Sequence, residues 1–101
     1  MKQYEIMNIY KLELGEEGAK ELSSKVQENI DSNGGKVTAS NFWGKRKFAY
    51  EINKQREGFY EVINFEIDPS KLKKFENKLK LMNGVFRYLI TAKPEQGNTH
   101  R

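Results

Sequence analysis

The chain has 101 residues, with eighteen Lys and Arg against fourteen Asp and Glu, a net charge of +4, 37% hydrophobic and 12% aromatic residues. That length fits one domain around one core, and the mild basic surplus favours an anionic partner without naming it. The absence of cysteine excludes disulfides, thiolate metal sites and cysteine nucleophiles, and the single histidine, His100, lies next to the C-terminus, away from any site that needs an imidazole.

Tyr4 to Tyr10 reads as a strand, with the alternation broken by Asn8 on the face of Ile6 and Tyr10. From Glu16 the period changes: Ala19, Leu22, Val26 and Ile30 recur at helical spacing, acids occupy the first turn, and Gly34-Gly35 ends the helix. Val37 to Ile52 is a long strand in which Gly44 marks a bulge or bend, and beyond it Phe48, Tyr50 and Ile52 alternate with Lys47, Ala49 and Glu51. Asn53 to Glu57 reads as a polar connection. Gly58 opens the next strand, where Phe59, Ile63, Phe65 and Ile67 share a face. Asp68 then caps a second helix with Pro69 at its first position and Leu72, Phe75, Leu79 and Met82 as its apolar stripe, which Asn83-Gly84 stops. Val85 to Ala92 is a last strand, and residues 93–101 read as a flexible tail behind a domain at 1–92.

Strand, helix, strand, strand, helix, strand under the right-handed crossover rule predicts an α+β, ferredoxin-like βαββαβ sandwich. Its four-stranded antiparallel sheet has the order 4-1-3-2, with both helices on one face. The second and fourth strands are then edges.

Catalysis is poorly supported: the serines lack a histidine base, no glycine-rich phosphate cradle precedes a helix, and no cofactor or metal is expected. The segment YKLELGEEG also puts acids where an acyl-phosphate hydrolase needs an anion-cradling loop. The opening MKQYEIMNIYKLEL is too short and polar for a signal peptide or membrane span, so a cytoplasmic setting is expected.

The charges are unevenly distributed. The first helix is acidic, whereas Lys36, Lys45, Arg46, Lys47, Lys54 and Arg56 face only Glu51. In the second helix Lys71, Lys73, Lys74, Lys78 and Lys80 face only Glu76 and read as a solvated outer face. Lys45-Arg46-Lys47 supports two readings. Charges on an edge strand suppress random pairing, as in a protein–protein adaptor. The same charges meet phosphates, with Trp43, Phe48 or Tyr50 offering stacking area. EGFYEVINF lacks the small and aromatic residues of the RNA-recognition-motif strand, so binding is expected at the edge and loops rather than on a stacking sheet of that type.

Three stretches, MKQYEI, WGKRKFAYEINKQREGFY and FEIDPSKLKKFENKLKLMNGVFRYLI, resemble bacterial ribosomal protein six of the small subunit. The resemblance runs from Met1 to about Lys93 and is most specific at Trp43, Gly44, Arg46, Phe48, Ala49, Tyr50, Ile52 and Lys54. It implies the same ferredoxin-like fold and a structural, non-catalytic role on the cytoplasmic ribosome. It further implies binding to the central domain of the small-subunit ribosomal RNA, jointly with ribosomal protein eighteen as a heterodimer, in support of the platform. Carried onto this sequence, RNA contact is expected at Lys2, Arg46, Lys54 and Arg87, to which the basic edge adds Lys47 and Arg56, and the partner edge is expected at Phe42, Trp43, Lys45, Arg46 and Lys47. The chain departs from the family at Asn8, where an apolar residue is usual, and in its tail.

Overall fold

A computed structural model describes residues 1–52 and 55–93, with side chains for all of these but 48–52, 55 and 56. The chain runs β1 (Lys2–Lys11), a 3-10 turn (Leu12–Leu14), α1 (Gly15–Ser32), β2 (Lys36–Ile52), β3 (Gln55–Ile67), α2 (Pro69–Lys80) and β4 (Val85–Ala92). All strand pairings are antiparallel in the order β2-β3-β1-β4, the expected arrangement read from the other edge.

Period-two burial in β1 sends Tyr4, Ile6, Asn8 and Tyr10 inward, where they face Phe65, Ile63, Glu61 and Phe59 of β3. Ala19, Leu22, Val26 and Ile30 of α1 and Phe75 and Leu79 of α2 close the core from above, each at most 9% exposed. The apolar stripes therefore decide which sheet face is covered. At the end of α1, Gly34 takes φ +82°. Its N–H donates to the Asp31 carbonyl and that of Gly35 to the Ile30 carbonyl, which satisfies carbonyls that the helix cannot bond itself. At the start of α2 the Asp68 carboxylate accepts from the Ser70 N–H and hydroxyl, both at 3.0 Å. Those bonds hold its pKa below the usual carboxylate value.

Several boundaries differ from expectation, two of them instructively. The strand expected from Gly58 begins at Gln55, because β2 and β3 pair at Arg46–Gly58, at Lys47–Glu57 and, past a register shift, at Ile52–Gln55. Polar side chains hid this part of the hairpin, since backbone pairing does not require apolar residues. Helix α2 ends at Lys80, before Asn83-Gly84, with Leu81 as its C-cap. The alternation expected for Phe48, Tyr50 and Ile52, and the tail from residue 94, lie outside the described residues. Lys93, read as the start of that tail, donates its N–H to the Gln3 carbonyl and its Nζ to Asn64 Oδ1, both at 2.9 Å.

The core also contains a polar cluster. Glu61 is 3% exposed, and its two carboxylate oxygens accept from the Tyr10 hydroxyl at 2.6 Å and the Ser23 hydroxyl at 2.7 Å. Asn8, fully buried, donates Nδ2 to the Tyr10 oxygen at 3.2 Å, and its Oδ1 has no partner. Burial, then the charge of Glu61 and its hydrogen bond, push the Tyr10 phenol far above its ordinary value of 10.0. The cluster joins β1, α1 and β3 at one point between the sheet and α1.

Candidate nucleic-acid and partner interface

Strand β2 is an edge, so its outer backbone groups pair with no other described strand. A bulge lies at its centre: Phe42 pairs with Glu61 and Gly44 with Tyr60, leaving Trp43 as an extra residue. Gly44 adopts φ +84°, a left-handed value that glycine accepts without strain. The extra residue resets the alternation. Lys45 and Lys47 pair with Phe59 and Glu57 on the helix side, while Arg46 pairs with Gly58 and turns to the helix-free face. The three adjacent charges therefore serve two faces rather than one.

On the helix side Phe42 is half-buried and stacked on Phe59 with ring centroids 6.3 Å apart, and the Lys20 ammonium lies 5.5 Å from its centroid. Its ring is thus committed to the core flank, and its backbone is what the edge offers. Lys45 Nζ is 3.7 Å from Glu57 Oε1, a partly exposed pair of small net worth. Lys47 is exposed and makes no ion pair among the described residues.

The helix-free face carries the other half of the candidate site. Trp43, 40% exposed, stacks on Tyr60 with centroids 6.4 Å apart and planes within 4°. The register puts Tyr60 beside Ile9, Ile9 beside Arg87, and Lys11 beside Gly58, which faces Arg46. Arg46, Lys11 and Arg87 therefore surround an aromatic pair at one end of the open face. The outer strands are three strand spacings apart, about 15 Å. Arg46 Nη1 donates to the Lys45 carbonyl at 3.0 Å, and neither arginine is ion-paired among the described residues. Met7, Val62 and the 64% exposed Leu89 form an apolar middle. At the far end Gln3, Glu66, Asn64 and Lys93 are bonded to one another in pairs.

Of the expected RNA contacts, the fold brings Arg46 and Arg87 to the same end of this face. Lys2 stands at the opposite end of β1, facing Ile67, and is exposed. Lys54 and the Arg56 side chain lie outside the described residues. Lys11 was not among the expected contacts, although period-two reading from Ile9 puts it on the open face. Glu61 was missed in the same way: alternation between Phe59 and Ile63 already assigns it to the buried face.

Residues 3–92 match the family model described as ribosomal protein S6. The small ribosomal subunit protein bS6 of Fusobacterium nucleatum is 43% identical over 90 residues, covering 89% of this chain and 96% of that protein. That of Symbiobacterium thermophilum is 42% identical over 95 residues, covering 94% of this chain and all of its own. The crystal structure of 30S ribosomal protein S6 from Thermotoga maritima superposes with a TM-score of 0.86 at 33% identity, covering 91% of this chain and 87% of that one. The C-terminal domain of the MgtC protein from Mycobacterium tuberculosis, at a TM-score of 0.60 and 13% identity over 92% of this chain and 88% of that one, shares the fold alone.

Proposed function

Because the chain belongs to the ribosomal protein S6 family, whose members are structural, non-enzymatic proteins of the small ribosomal subunit, we propose that it binds the central domain of the small-subunit ribosomal RNA together with ribosomal protein eighteen. The observation that carries this reading is the end of the open face where Arg46, Lys11 and Arg87 surround the Trp43–Tyr60 stack without ion-pair partners among the described residues. Such cations meet phosphates and release counterions, while the paired rings offer a surface on which an unpaired base can stack. Lys2, Lys47, Lys54 and Arg56 join them as phosphate contacts in this reading. The partner protein uses the β2 edge at Phe42, Trp43, Lys45, Arg46 and Lys47, where open backbone groups accept an added strand and the charges reject unspecific ones.

Labelled central-domain RNA is expected to bind the lone chain weakly and the chain with its partner more tightly. Affinity should fall linearly in log–log terms as salt rises, with a slope of roughly 0.9 per phosphate contact. Arg46→Gln with Lys47→Gln should make that slope shallower by about 1–2. Salt-independent binding, or none with the partner present, overturns the reading. A double variant that self-associates while binding RNA unchanged points instead to an adaptor whose charges only guard the edge.

A further inference from the structure

Helix α2 contains five lysines and one glutamate, a surplus of four that equals the net charge of the whole chain; the remaining residues balance thirteen bases against thirteen acids. All five lysines are exposed, and none is ion-paired among the described residues. Four of them divide between two flanks. Lys74 and Lys78 line a groove with Ser32 and Asn33 at the C-terminal end of α1, where their charge opposes the negative pole of that helix. Lys73 and Lys80, seven residues apart and so two turns along one stripe, share the flank of Glu76, and Lys80 lies against the start of β4. Between them lies Glu76, the one acid within α2, and its Oε2 accepts from the Tyr88 hydroxyl of β4 at 2.8 Å. Lys80 and Arg87 line a common open groove of about 330 Å³ between the end of α2 and the start of β4.

We propose that the RNA track on the open face continues round the β4 edge, across the Lys80–Arg87 groove and onto the Lys73–Lys80 stripe of α2, where it holds the sugar–phosphate backbone. This rests on the RNA reading above and extends it to a helix whose lysines look like ordinary solvation in the sequence. An RNA backbone fits the stripe better than a protein partner does. Lysine is depleted from protein interfaces, which depend on central aromatic or arginine anchors, whereas a row of solvated ammonium groups matches a row of phosphates. The acidic α1 turns RNA away on the other flank, so the β4 edge is the open route.

The test compares two charge-matched variants in complex with the partner protein on labelled central-domain RNA: Lys73→Gln with Lys80→Gln, and Lys74→Gln with Lys78→Gln. The first is expected to make the salt slope shallower by about 2 and to weaken binding at low salt roughly tenfold or more. It should also erase backbone protections next to those lost in Arg87→Gln. The second should leave slope and protections as in wild type, and both should keep the wild-type unfolding midpoint. Equal losses in the two variants mean a diffuse charge effect and overturn the track, as does a first variant indistinguishable from wild type while Arg46→Gln with Lys47→Gln still weakens binding. A first variant that keeps RNA but loses the protein partner reassigns the stripe to protein and overturns the track equally. No binding by the wild-type complex removes the RNA reading itself, and the track with it.

Discussion

Phe75→Ala is expected to lower the unfolding free energy by about 3–5 kcal/mol. The ring is fully buried and tilted at 55° against Phe65, with centroids 5.5 Å apart. The Phe75 carbonyl also accepts Asn29 Nδ2 of α1 at 3.2 Å, so this residue ties α2 to the sheet by its side chain and to α1 by its backbone. Truncation removes the transfer energy of an aromatic side chain and leaves a cavity that two helices on one sheet cannot easily collapse into. A domain of this size has roughly 5–15 kcal/mol in all, and each kcal/mol moves Tm by about 4–8 °C, so urea and thermal unfolding will both register the change. Leu72→Ala, at a half-buried position on the same stripe, should cost distinctly less. A loss below about 1 kcal/mol for Phe75→Ala would mean that α2 is not docked as described.

Tyr10→Phe is expected to cost about 1–3 kcal/mol at neutral pH although it deletes one atom, because a buried carboxylate then keeps only one of its two hydroxyl donors. Glu61→Leu should cost a similar amount by leaving the Tyr10 and Ser23 hydroxyls without an acceptor. The double variant should lose less than the sum of the two, with a coupling of about 1 kcal/mol or more, since removing both partners strands fewer groups than the two single removals together. The pH dependence supplies a second readout. Burial and the Glu61 charge raise the Tyr10 pKa in the folded chain, so the folded state keeps a proton that the unfolded chain releases near pH 10. This contribution is complete below that pH and is lost as pH rises above it, with a slope of up to about 1.4 kcal/mol per pH unit. Tyr88, pushed up to about 12 by burial and by its bond to Glu76, adds a weaker fall of the same sign. Unfolding from pH 9 to 12 should therefore be less steep in Tyr10→Phe than in wild type. Equal steepness would remove the cluster as its source.

The sequence discloses what local chemistry determines. Asp68-Pro69 announces a helix start because a carboxylate accepts the first free N–H groups and proline lacks one to satisfy. Ala19, Leu22, Val26 and Ile30 can face one way only if they lie on a helix, and the alternation of β1 then selects the topology. Gly44 signals the bulge, but the faces of Lys45, Arg46 and Lys47 follow only from the partner register, a property of β3 as much as of β2. Glu61 was missed because a charged residue in an apolar row is naturally read as solvated. Its donors, Tyr10 and Ser23, are 51 and 38 residues away and become visible only in the fold. The same limit hid the separation of Lys73 and Lys80 from Lys74 and Lys78, which depends on where Glu76 is drawn.

The bulge in β2 makes neighbouring one-residue deletions unequal. Loss of Trp43 would leave Phe42 opposite Glu61 and Gly44 opposite Tyr60, a ladder uninterrupted from Ala39 to Lys47 in which Lys45, Arg46 and Lys47 keep their sides of the sheet. Loss of Lys45, two positions on, would bring Arg46 opposite Phe59 and Lys47 opposite Gly58, exchanging their faces although only one lysine has gone. A deletion along this edge thus keeps the charges on their faces at one point, though it costs the Trp43 ring, and reverses the proposed binding surface almost beside it.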